Sequence, residues 1–326
     1  MPLAARVLAC TKGMPRDEWL ELRRQGLGGS DAATVVGLNP YKSPLALYFE
    51  KRGEVDDTEM GEPAYWGIKL EDIVAQEFAE RTGLDVRLYP YMLQQAEHDW
   101  MLVNLDRLVF EGPDATEPLG VLEVKTTGAH HAHEWADGAV PEYYQVQVAH
   151  ELAVSGLDRA WIVCLVGGQR LTEPVEIERD NALIADLIAV EGAFWADTVA
   201  GIPPAADASE STTEALAKRY PTAEIGKTVV LGDGEVVDLL MRRADAKAAL
   251  KRAKERTDLV DNQLRLLMGD AEIGLLPNGD KACTLKSVDA QRFDLDAFRQ
   301  DHPDLAARYT VPNPHRRLYV PERKSA

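Results

Sequence analysis

Residues 119–127 read Leu-Gly-Val-Leu-Glu-Val-Lys-Thr-Thr, an apolar run that carries a glutamate and a lysine two positions apart. Its aliphatic and β-branched residues predict a β-strand. Alternate side chains of a strand point to the same face, so Glu123 and Lys125 should project together while Leu122 and Val124 point to the other face. A carboxylate beside an ammonium at a strand end is suited to hold Mg²⁺ and to orient an attacking hydroxide.

A second strand is predicted upstream, over residues 100–109, and its Asp106 lies among apolar residues. Residues 111–118, with two prolines and a glycine, predict a turn between the two strands. If the strands run in opposite directions, Asp106 lies next to Glu123 and completes a D…ExK pattern. Charges in apolar strands are costly to bury unless they pair or bind a metal. On an exposed strand face, the same triplet would be a solvated ion pair.

The composition bounds the class of protein. The chain has 326 residues, of which 45% are hydrophobic and 28% charged, and this suits one large domain or two. No apolar run approaches membrane-spanning length, and the N-terminus lacks the pattern of a secretory signal, so we expect no membrane partner. Cys10, Cys164 and Cys283 are far apart, which argues against a disulfide framework, a zinc ribbon or an iron–sulfur cluster. We therefore expect the protein to act in a reducing cytoplasm.

The formal net charge of −18 opposes non-specific binding to DNA, because that binding depends on Lys and Arg. The objection is weaker if basic groups line a channel while acids cover the exterior, or where carboxylates collect Mg²⁺. The charge balance therefore disfavours a protein that coats DNA without regard to sequence.

A glycine-rich segment near the N-terminus is a candidate anion site. Residues 16–24 have helical spacing, and Gly-Leu-Gly-Gly-Ser-Asp follows at 26–31. Glycines ahead of a Ser-Asp N-cap would leave backbone N–H groups at a helix start open to an anion. Arg23 and Ser30 are therefore candidate phosphate-binding residues. The alternative is a plain glycine turn followed by a capped helix.

Residues 66–83 predict an amphipathic helix that ends at a glycine, with Ile68, Val74 and Phe78 on its buried side. Glu71 lies near the start of this helix. It is either an exposed acid at the favourable end of the helix dipole or a group that points into the metal site from the flank of the sheet.

Three histidines, His130, His131 and His133, follow the ExK strand. Such a cluster suggests a metal, but the spacing fits neither a helical nor a strand ligand set, so we predict a loop beside the site and leave their role open. A helix is then predicted from Pro141 to Gly156.

Tyr144 and Gln147 lie three positions apart on that helix and share a face. Strands over residues 160–166 and 175–178 and a helix to about Val199 complete this part of the chain.

Over residues 201–213 the composition changes to Pro, Ala, Ser and Thr, which predicts a linker. We therefore divide the chain into a core of residues 1–205 and an extension of residues 206–326. The extension contains a predicted hairpin over 229–237, a long helix to about Met268 that is basic in its middle, and a short β unit. The basic helix either contacts DNA or a partner, or is a solvated face.

Taken in order, these segments resemble the YqaJ-like viral recombinase family, relatives of phage lambda exonuclease within the PD-(D/E)xK nuclease superfamily. The resemblance spans about residues 19–204, and its six blocks follow the order of the family. The blocks are Trp19 with Arg23-Arg-Gln-Gly-Leu-Gly-Gly-Ser-Asp31, Gly37-Leu-Asn-Pro-Tyr-Lys-Ser-Pro44, Leu70-Glu71, Asp106, Glu123-Val-Lys125-Thr-Thr, and Pro141 with Tyr144, Gln147 and Gly156.

The resemblance implies an α/β fold of the restriction-endonuclease type, a mixed central sheet flanked by helices. It implies that Asp106 and Glu123 bind Mg²⁺, with Mn²⁺ as a substitute, and that Lys125 supports the nucleophilic water. Glu71 would be an accessory acid at the metal.

The same resemblance assigns Arg23 and Ser30 to the positions that receive a 5′ phosphate, and Tyr144 and Gln147 to the glutamine motif of the family. The family often has Gln-x-Gln, and here Gln145 is a second candidate. The spacing from Tyr144 and from the helix-ending glycine favours Gln147.

The activity implied is a Mg²⁺-dependent 5′→3′ exonuclease on linear double-stranded DNA that leaves 3′ single-stranded tails for phage-type recombination, in a bacterial host. Relatives act as rings around DNA beside a single-strand-annealing protein. Two alternatives stay open, a structure-selective or single-strand DNA endonuclease on the same scaffold and a catalytically weak module that binds DNA or a partner.

Overall fold

The computed structural model describes residues 3–55, 61–312 and 315–321. The chain forms two compact units, Met1–Pro221 and Thr222–Ala326. Among the described residues, none of the helices has both the length and the apolar content that crossing a bilayer requires.

The first unit is mixed α/β. Its helices are α1 (Arg16–Arg23), α2 (Gly29–Val35), α3 (Pro44–Lys51), α4 (Glu62–Thr82), α5 (Glu142–Ser155), α6 (Asn181–Ala200) and α7 (Glu210–Arg219). Its strands are β1 (Arg6–Cys10), β2 (Asp85–Leu88), β3 (Tyr91–Gln94), β4 (Leu102–Asn104), β5 (Arg107–Phe110), β6 (Gly120–Thr127), β7 (Arg159–Val166), β8 (Arg170–Leu171) and β9 (Val175–Glu178).

The central sheet has the strand order β2-β5-β6-β7-β8, and β9 also pairs with β7. The pairing of β6 with β7 is parallel and the other pairings are antiparallel. A parallel pair needs a long crossover, which α5 provides. A smaller antiparallel sheet, β1-β3-β4, lies in the same unit. The predicted class, a mixed central sheet flanked by helices, is confirmed.

The two faces of β6 differ as its sequence predicts. Leu122 and Val124 pack with Val74 and Phe78 of α4. Glu123 lies on the opposite face, where it contacts α5 through Gln147. Ile68 was predicted on the buried side of α4, and that prediction is wrong, because the first turns of the helix border an open cavity and leave its side chain exposed.

The glycine segment is held against the smaller sheet. Leu27 forms a parallel bridge with Met101, and a Cβ on Gly26 would lie 2.2 Å from the carbonyl oxygen of Trp100. Because that distance is far below van der Waals contact, a glycine is needed for the close approach. This approach fixes the position of α2 relative to β4.

The predicted linker is partly helical. Ser209 caps α7 by accepting a hydrogen bond from the backbone N–H of Thr212, and Thr212 donates to Ser43 at 2.8 Å. Ala215 is buried with Leu45 and Phe49 of α3. Since α7 packs on the first unit, the structure divides the chain after Pro221 and not at 205/206. Serine and threonine over 209–213 fit a helix start as well as a linker, so composition did not separate the two.

The second unit contains α8 (Asp233–Met268), α9 (Leu295–Asp301), α10 (Pro303–Tyr309) and an antiparallel pair of strands, β10 (Ile273–Leu275) and β11 (Lys281–Thr284). The long helix and the small β unit are thus present. The hairpin predicted over 229–237 is wrong, because Gly232 is the N-cap of α8 and residues from Asp233 onward are helical. A hairpin over residues 229–237 with neither a third strand nor a packed helix would be only marginally stable.

Candidate active site

Asp106 lies between β4 and β5, beside the adjacent strand β6. Strands β5 and β6 are antiparallel, with Arg107 opposite Leu122. The Asp106 Oδ2 accepts a hydrogen bond from the backbone N–H of Val124 at 2.9 Å. This bond fixes the carboxylate next to the Glu123 position, as expected from two strands of opposite direction.

The side chains of Glu123, Lys125 and Gln147 form a hydrogen-bonded network across β6 and α5. The Lys125 ammonium contacts Glu123 Oε1 and donates to Gln147 Oε1 at 3.0 Å. The Gln147 amide nitrogen donates to Glu123 Oε1 at 2.6 Å and to Glu151 Oε1 at 2.8 Å. One glutamine therefore holds the carboxylate and the ammonium in a fixed arrangement. Gln145 does not join this network and instead donates to the carbonyl oxygen of Val140.

Glu151 is a site residue that the sequence did not single out. It is buried, and its Oε2 has no hydrogen-bond partner. A Cβ on Gly29 would lie 3.2 Å from Glu151 Oε1 and 3.4 Å from the Gln147 Cγ, so the glycine leaves room for both side chains. The available signal was its spacing of four residues from Gln147, which places both on one helix face.

The electrostatics of the site are dominated by carboxylates. Burial and the charge of Glu123 raise the pKa of Asp106 well above its ordinary value, and the same two causes raise the pKa of Glu151. Burial alone would lower the pKa of Lys125, but the charges of Glu123 and Asp106 outweigh burial and raise it. Lys125 is therefore a fixed cation in a site with excess negative charge.

Glu71 borders the same cavity but is engaged by an arginine. The guanidinium of Arg107, which is buried, pairs with Glu71 and with Asp72 of α4 and also donates to the carbonyl oxygen of Asp106. Burial raises the pKa of Glu71, and Arg107 opposes the rise. Glu71 thus lines the cavity from the flank of the sheet and is paired with Arg107 instead of standing free in solvent.

Arg23 and Ser30 are brought together on the other side of the cavity. The Arg23 Nη2 donates to Ser30 Oγ at 3.1 Å and pairs with Asp31 at 3.1 Å. Asp31 also pairs with the buried Lys51 at 2.7 Å. Burial raises the pKa of Asp31, but Lys51 and Arg23 outweigh it and hold that pKa well below its usual range.

The predicted capping of this segment is wrong in detail. The N-cap of α2 is Gly28, not Ser30, and its backbone N–H donates to Asp31 Oδ2 at 2.9 Å. The helix α2 has only seven residues, and Arg23 and Ser30 are polar residues that this segment presents to the cavity.

Tyr144 and the histidine segment form the remaining wall. The Lys125 Nζ lies 4.6 Å from the centre of the Tyr144 ring, a cation–π contact. Residues Ala129–Gly138 form a 3₁₀ segment with a kink, not an open loop. His131 lies 2.6 Å from Glu134, and His133 contacts the carbonyl oxygen of His130.

All eight predicted site residues border one cavity of about 780 Å³. They are Arg23, Ser30, Glu71, Asp106, Glu123, Lys125, Tyr144 and Gln147. Asn104, which accepts a hydrogen bond from Trp19, and His131 also face it. The cavity therefore joins the D…ExK triad to the Arg23–Ser30 pair in one open space.

The oxygen donors suit a hard cation. Within the described part of the chain, no three His, Cys, Asp or Glu side chains are arranged as a ready-made metal site. Mg²⁺ commonly uses one or two carboxylates and completes its shell with water and substrate phosphate oxygens. Asp106 and Glu123 provide two such carboxylates, and the unpartnered Glu151 oxygen adds a third acid nearby.

Comparisons with known proteins identify the family to which the chain is similar. Residues 18–158 match the family of the YqaJ-like viral recombinase domain. The uncharacterized protein YqaJ of Bacillus subtilis (strain 168) is 38% identical over 325 residues, which cover 98% of each chain. An alkaline exonuclease (LHK-Exo) from Laribacter hongkongensis superimposes with a TM-score of 0.47 at 22% identity, over 57% of this chain and 94% of that chain. A phage-related exonuclease from Haemophilus somnus 129PT gives a TM-score of 0.40 at 13% identity, over 56% of this chain and 99% of that chain.

Proposed function

Because this chain belongs to the family of YqaJ-like viral recombinase domains, we propose that it is a metal-dependent deoxyribonuclease. Its substrate is the end of linear double-stranded DNA, which it degrades 5′→3′ to leave 3′ single-stranded tails for recombination by annealing. The observation that supports this proposal is the placement of Asp106, Glu123 and Lys125 in one cavity with Arg23 and Ser30.

Asp106 and Glu123 are the residues that would hold Mg²⁺ or Mn²⁺, with Glu71 as an accessory acid. A bound cation of this kind lowers the pKa of a water molecule and stabilises charge on the scissile phosphate. The protein's part is to keep the carboxylates together despite their repulsion. The N–H of Val124 and the amide of Gln147 do so by hydrogen bonds to Asp106 and Glu123.

Lys125 supplies a fixed positive charge. Burial lowers its pKa, but the charges of Glu123 and Asp106 outweigh burial and raise it, which favours the ammonium over a neutral amine that could act as general base. Its partners Glu123 and Gln147 orient it into the cavity. It would therefore orient the attacking water and offset the negative charge that develops on the phosphate.

The Arg23–Ser30 pair would dock the 5′ phosphate of a DNA end. Arg23 and the buried Lys51 both pair with the carboxylate of Asp31, and the Arg23 guanidinium borders the cavity beside Ser30. The Ser30 side chain is exposed to the cavity and its hydroxyl adds a hydrogen bond. Charge-assisted contacts to phosphate are among the stronger hydrogen bonds in proteins. An anchored 5′ end is what distinguishes an exonuclease from a nuclease that cuts internally.

The proposal extends to assembly and context. We infer a homo-oligomeric ring around the DNA, a single-strand-annealing recombinase as partner, and action in the cytoplasm of a bacterial host. DNA itself is the substrate that the family supports most directly.

The test is digestion of linear duplexes that differ only in a 5′ phosphate or a 5′ hydroxyl, with Mg²⁺. The phosphorylated duplex should be degraded much faster. Arg23→Ala should remove most of that preference by slowing the phosphorylated duplex about ten- to a hundredfold, since such a contact contributes about 1.5–3 kcal/mol. Arg24→Ala is the matched control, because Arg24 pairs with Glu21 and does not border the cavity.

Other outcomes identify the alternatives. Cleavage of circular single-stranded DNA without a 5′ preference would favour the endonuclease. Absence of cleavage in both Mg²⁺ and Mn²⁺, with DNA still bound, would favour a binding module.

A further inference from the structure

Helix α8 is a long surface helix whose own unit does not cover it. It spans Asp233–Met268, 36 residues, so its axis is about 54 Å long. None of the described side chains over residues 234–268 is buried. Helices in globular proteins owe most of their stability to packing of an apolar face, and the described residues of this long helix lack such packing.

Apolar residues recur along α8 with alternating spacings of three and four. From Val236 to Leu267 this register has ten positions, eight of which are apolar. The apolar positions are Val236, Leu239, Ala246, Leu250, Ala253, Val260, Leu264 and Leu267, and the other two are Arg243 and Thr257. Such a repeat over several heptads is the pattern of a coiled-coil seam. Leu250 and Leu267 are 71% and 84% exposed, so the seam is open to solvent.

The positions that flank the seam are basic in the middle of the helix. They are Arg242, Lys247, Lys254 and Arg256, while the acids at equivalent positions, Glu235 and Asp261, lie toward the two ends. Residues at these flanking positions form the ion pairs that select the partner of a coiled coil. The middle of α8 therefore favours an acidic partner.

A second copy of α8 does not fit this surface. In a parallel pair, Arg243 would lie against its own counterpart inside the apolar seam, where an unpaired buried charge is costly. In an antiparallel pair about the middle of the helix, the cationic segment 242–256 would face itself, and like charges repel. The charge pattern therefore points to a different chain.

We propose that α8 is a docking surface for an amphipathic helix of another protein, a helix with an apolar seam flanked by Asp or Glu. The seam would bury the exposed leucines, and the acids would pair with the flanking cations and with Arg243. DNA is a rival ligand for the cations, but phosphate binding gives no role to the eight apolar positions.

The surface is tested with the full-length protein and a fluorescent helical peptide of about 35 residues that carries Leu at seam positions and Glu at flanking positions. A second peptide with Lys at the flanking positions is the control. The Glu peptide should bind and the Lys peptide should not, and binding should weaken with salt because ion pairs are screened. Failure of the Glu peptide to bind would overturn the proposal.

Two neighbouring leucines provide matched variants. Leu264 lies in the seam and Leu266 on the opposite side of the helix, and both are exposed, so neither change to Asp disturbs a core. Leu264→Asp should weaken binding of the Glu peptide about tenfold or more, while Leu266→Asp should leave it within about twofold. Helix content by circular dichroism should be equal in both. Equal effects of the two changes would show that the seam is not the binding face.

The rivals give distinct results. Sedimentation equilibrium tests for self-association. If it detects a dimer, and if Leu264→Asp dissociates that dimer, the seam binds a second copy of this chain. A duplex DNA fragment is the second rival. If it displaces the Glu peptide, and if Leu264→Asp does not change the binding of the DNA, the helix binds DNA. Either result would contradict a docking surface for a partner helix.

Discussion

Asp106 lies in a corner of the cavity where carboxylates outnumber cations. Burial is the largest cause that raises the pKa of Asp106, and the negative charges of Glu123 and Glu71 raise it further. An acid whose folded-state pKa lies above its unfolded value makes folding favour the protonated form. The stability it contributes is complete below the unfolded pKa and is lost as the pH rises through the folded pKa. Above the folded-state pKa, the ionised Asp106 therefore costs stability unless a cation offsets it.

Asp106→Asn should abolish cleavage and yet increase stability in metal-free buffer. The amide keeps the hydrogen bond from the Val124 N–H but removes the repulsion, so the free energy of unfolding at about pH 8 should rise by about 1 kcal/mol or more. Urea denaturation with and without Mg²⁺ measures this. Mg²⁺ should stabilise the wild type by mass action and leave the variant nearly unchanged. Wild-type cleavage by the variant, or equal stabilisation of both proteins by Mg²⁺, would contradict the assignment.

Lys125→Ala separates catalysis from metal binding. The ammonium donates to Glu123 and Gln147 and is not a ligand, so the variant should still bind Mg²⁺ or Mn²⁺. Single-turnover cleavage should fall by orders of magnitude, because the developing charge on the phosphate loses its partner. Calorimetry of metal binding gives the second readout. A collapse of metal affinity together with the rate would make the role of Lys125 structural.

Between elements, a buried ion pair ties α5 to α6 and β4. The His150 Nδ1 lies 3.0 Å from both carboxylate oxygens of Glu191, and its Nε2 lies 2.9 Å from the carbonyl oxygen of Leu102. Both ring nitrogens thus lie next to oxygen atoms, an arrangement that favours a proton on each nitrogen. Burial alone would lower the pKa of His150, but Glu191 outweighs it and raises the pKa. The next residue along α5 is Glu151, so this pair also fixes the helix that carries the site.

The ion pair predicts a defined pH dependence of stability. Because the folded-state pKa of His150 is raised, its contribution is complete below the unfolded value of about 6.5 and is lost as the pH rises through the folded value. The double variant His150→Leu with Glu191→Met removes both charges. As the pH rises above about 6.5, the free energy of unfolding of the wild type should decrease relative to that of the double variant. A difference that stays constant with pH would show that His150 is neutral in the folded protein.

The strand pair at the site could be predicted because its signal is local. Alternation in residues 119–127 places Glu123 and Lys125 on one face, and a polar turn brings Asp106 beside them. Glu151 could not be found in this way. Its burial depends on α2, where Gly29 leaves space for it, and that contact joins residues more than a hundred positions apart.

The wrong predictions about secondary structure and burial have a similar cause. Residues 229–237 place a Gly-Asp-Gly turn between two short apolar runs, which resembles a hairpin, but this pattern does not show whether a third strand will cover it, and here α8 begins at Asp233. Ile68 fits the buried stripe of α4 by period, but periodicity does not show where a helix runs past the edge of the sheet and borders an open cavity. Both errors concern what packs against an element, which no local pattern contains.

For the whole molecule, the net charge of −18 restricts how DNA is held. Lys125 and Arg23, which border the cavity, are each engaged by an acid, Lys125 by Glu123 and Arg23 by Asp31. We therefore expect few phosphates to be neutralised along a duplex and only a small non-specific affinity from counterion release. Under the proposed function, binding would depend on recognition of the DNA end more than on general attraction to the backbone.

The division of the chain decides which fragment folds. Composition alone places the boundary at 205/206, whereas the first compact unit extends to Pro221 because α7 packs on α3. Removing α7 would expose Leu45 and Phe49 and leave the Ser43 hydroxyl and backbone N–H without their partners Thr212 and Ser211. A fragment of residues 1–205 should therefore be less stable than a fragment of residues 1–221.

The expected difference in free energy of unfolding is about 2 kcal/mol or more, from lost apolar burial and a lost buried hydrogen bond. Urea denaturation of the two fragments measures this difference. Under the proposed function, the 1–221 fragment should also keep Mg²⁺-dependent cleavage, since every predicted site residue lies within that fragment. Ala215→Asp in the longer fragment is the matched control, because it places a charge in the α3–α7 contact without shortening the chain, and it should reproduce most of the loss. If the 1–205 fragment unfolds at the same urea concentration as the 1–221 fragment, α7 adds nothing to the core, and the division belongs where the composition changes.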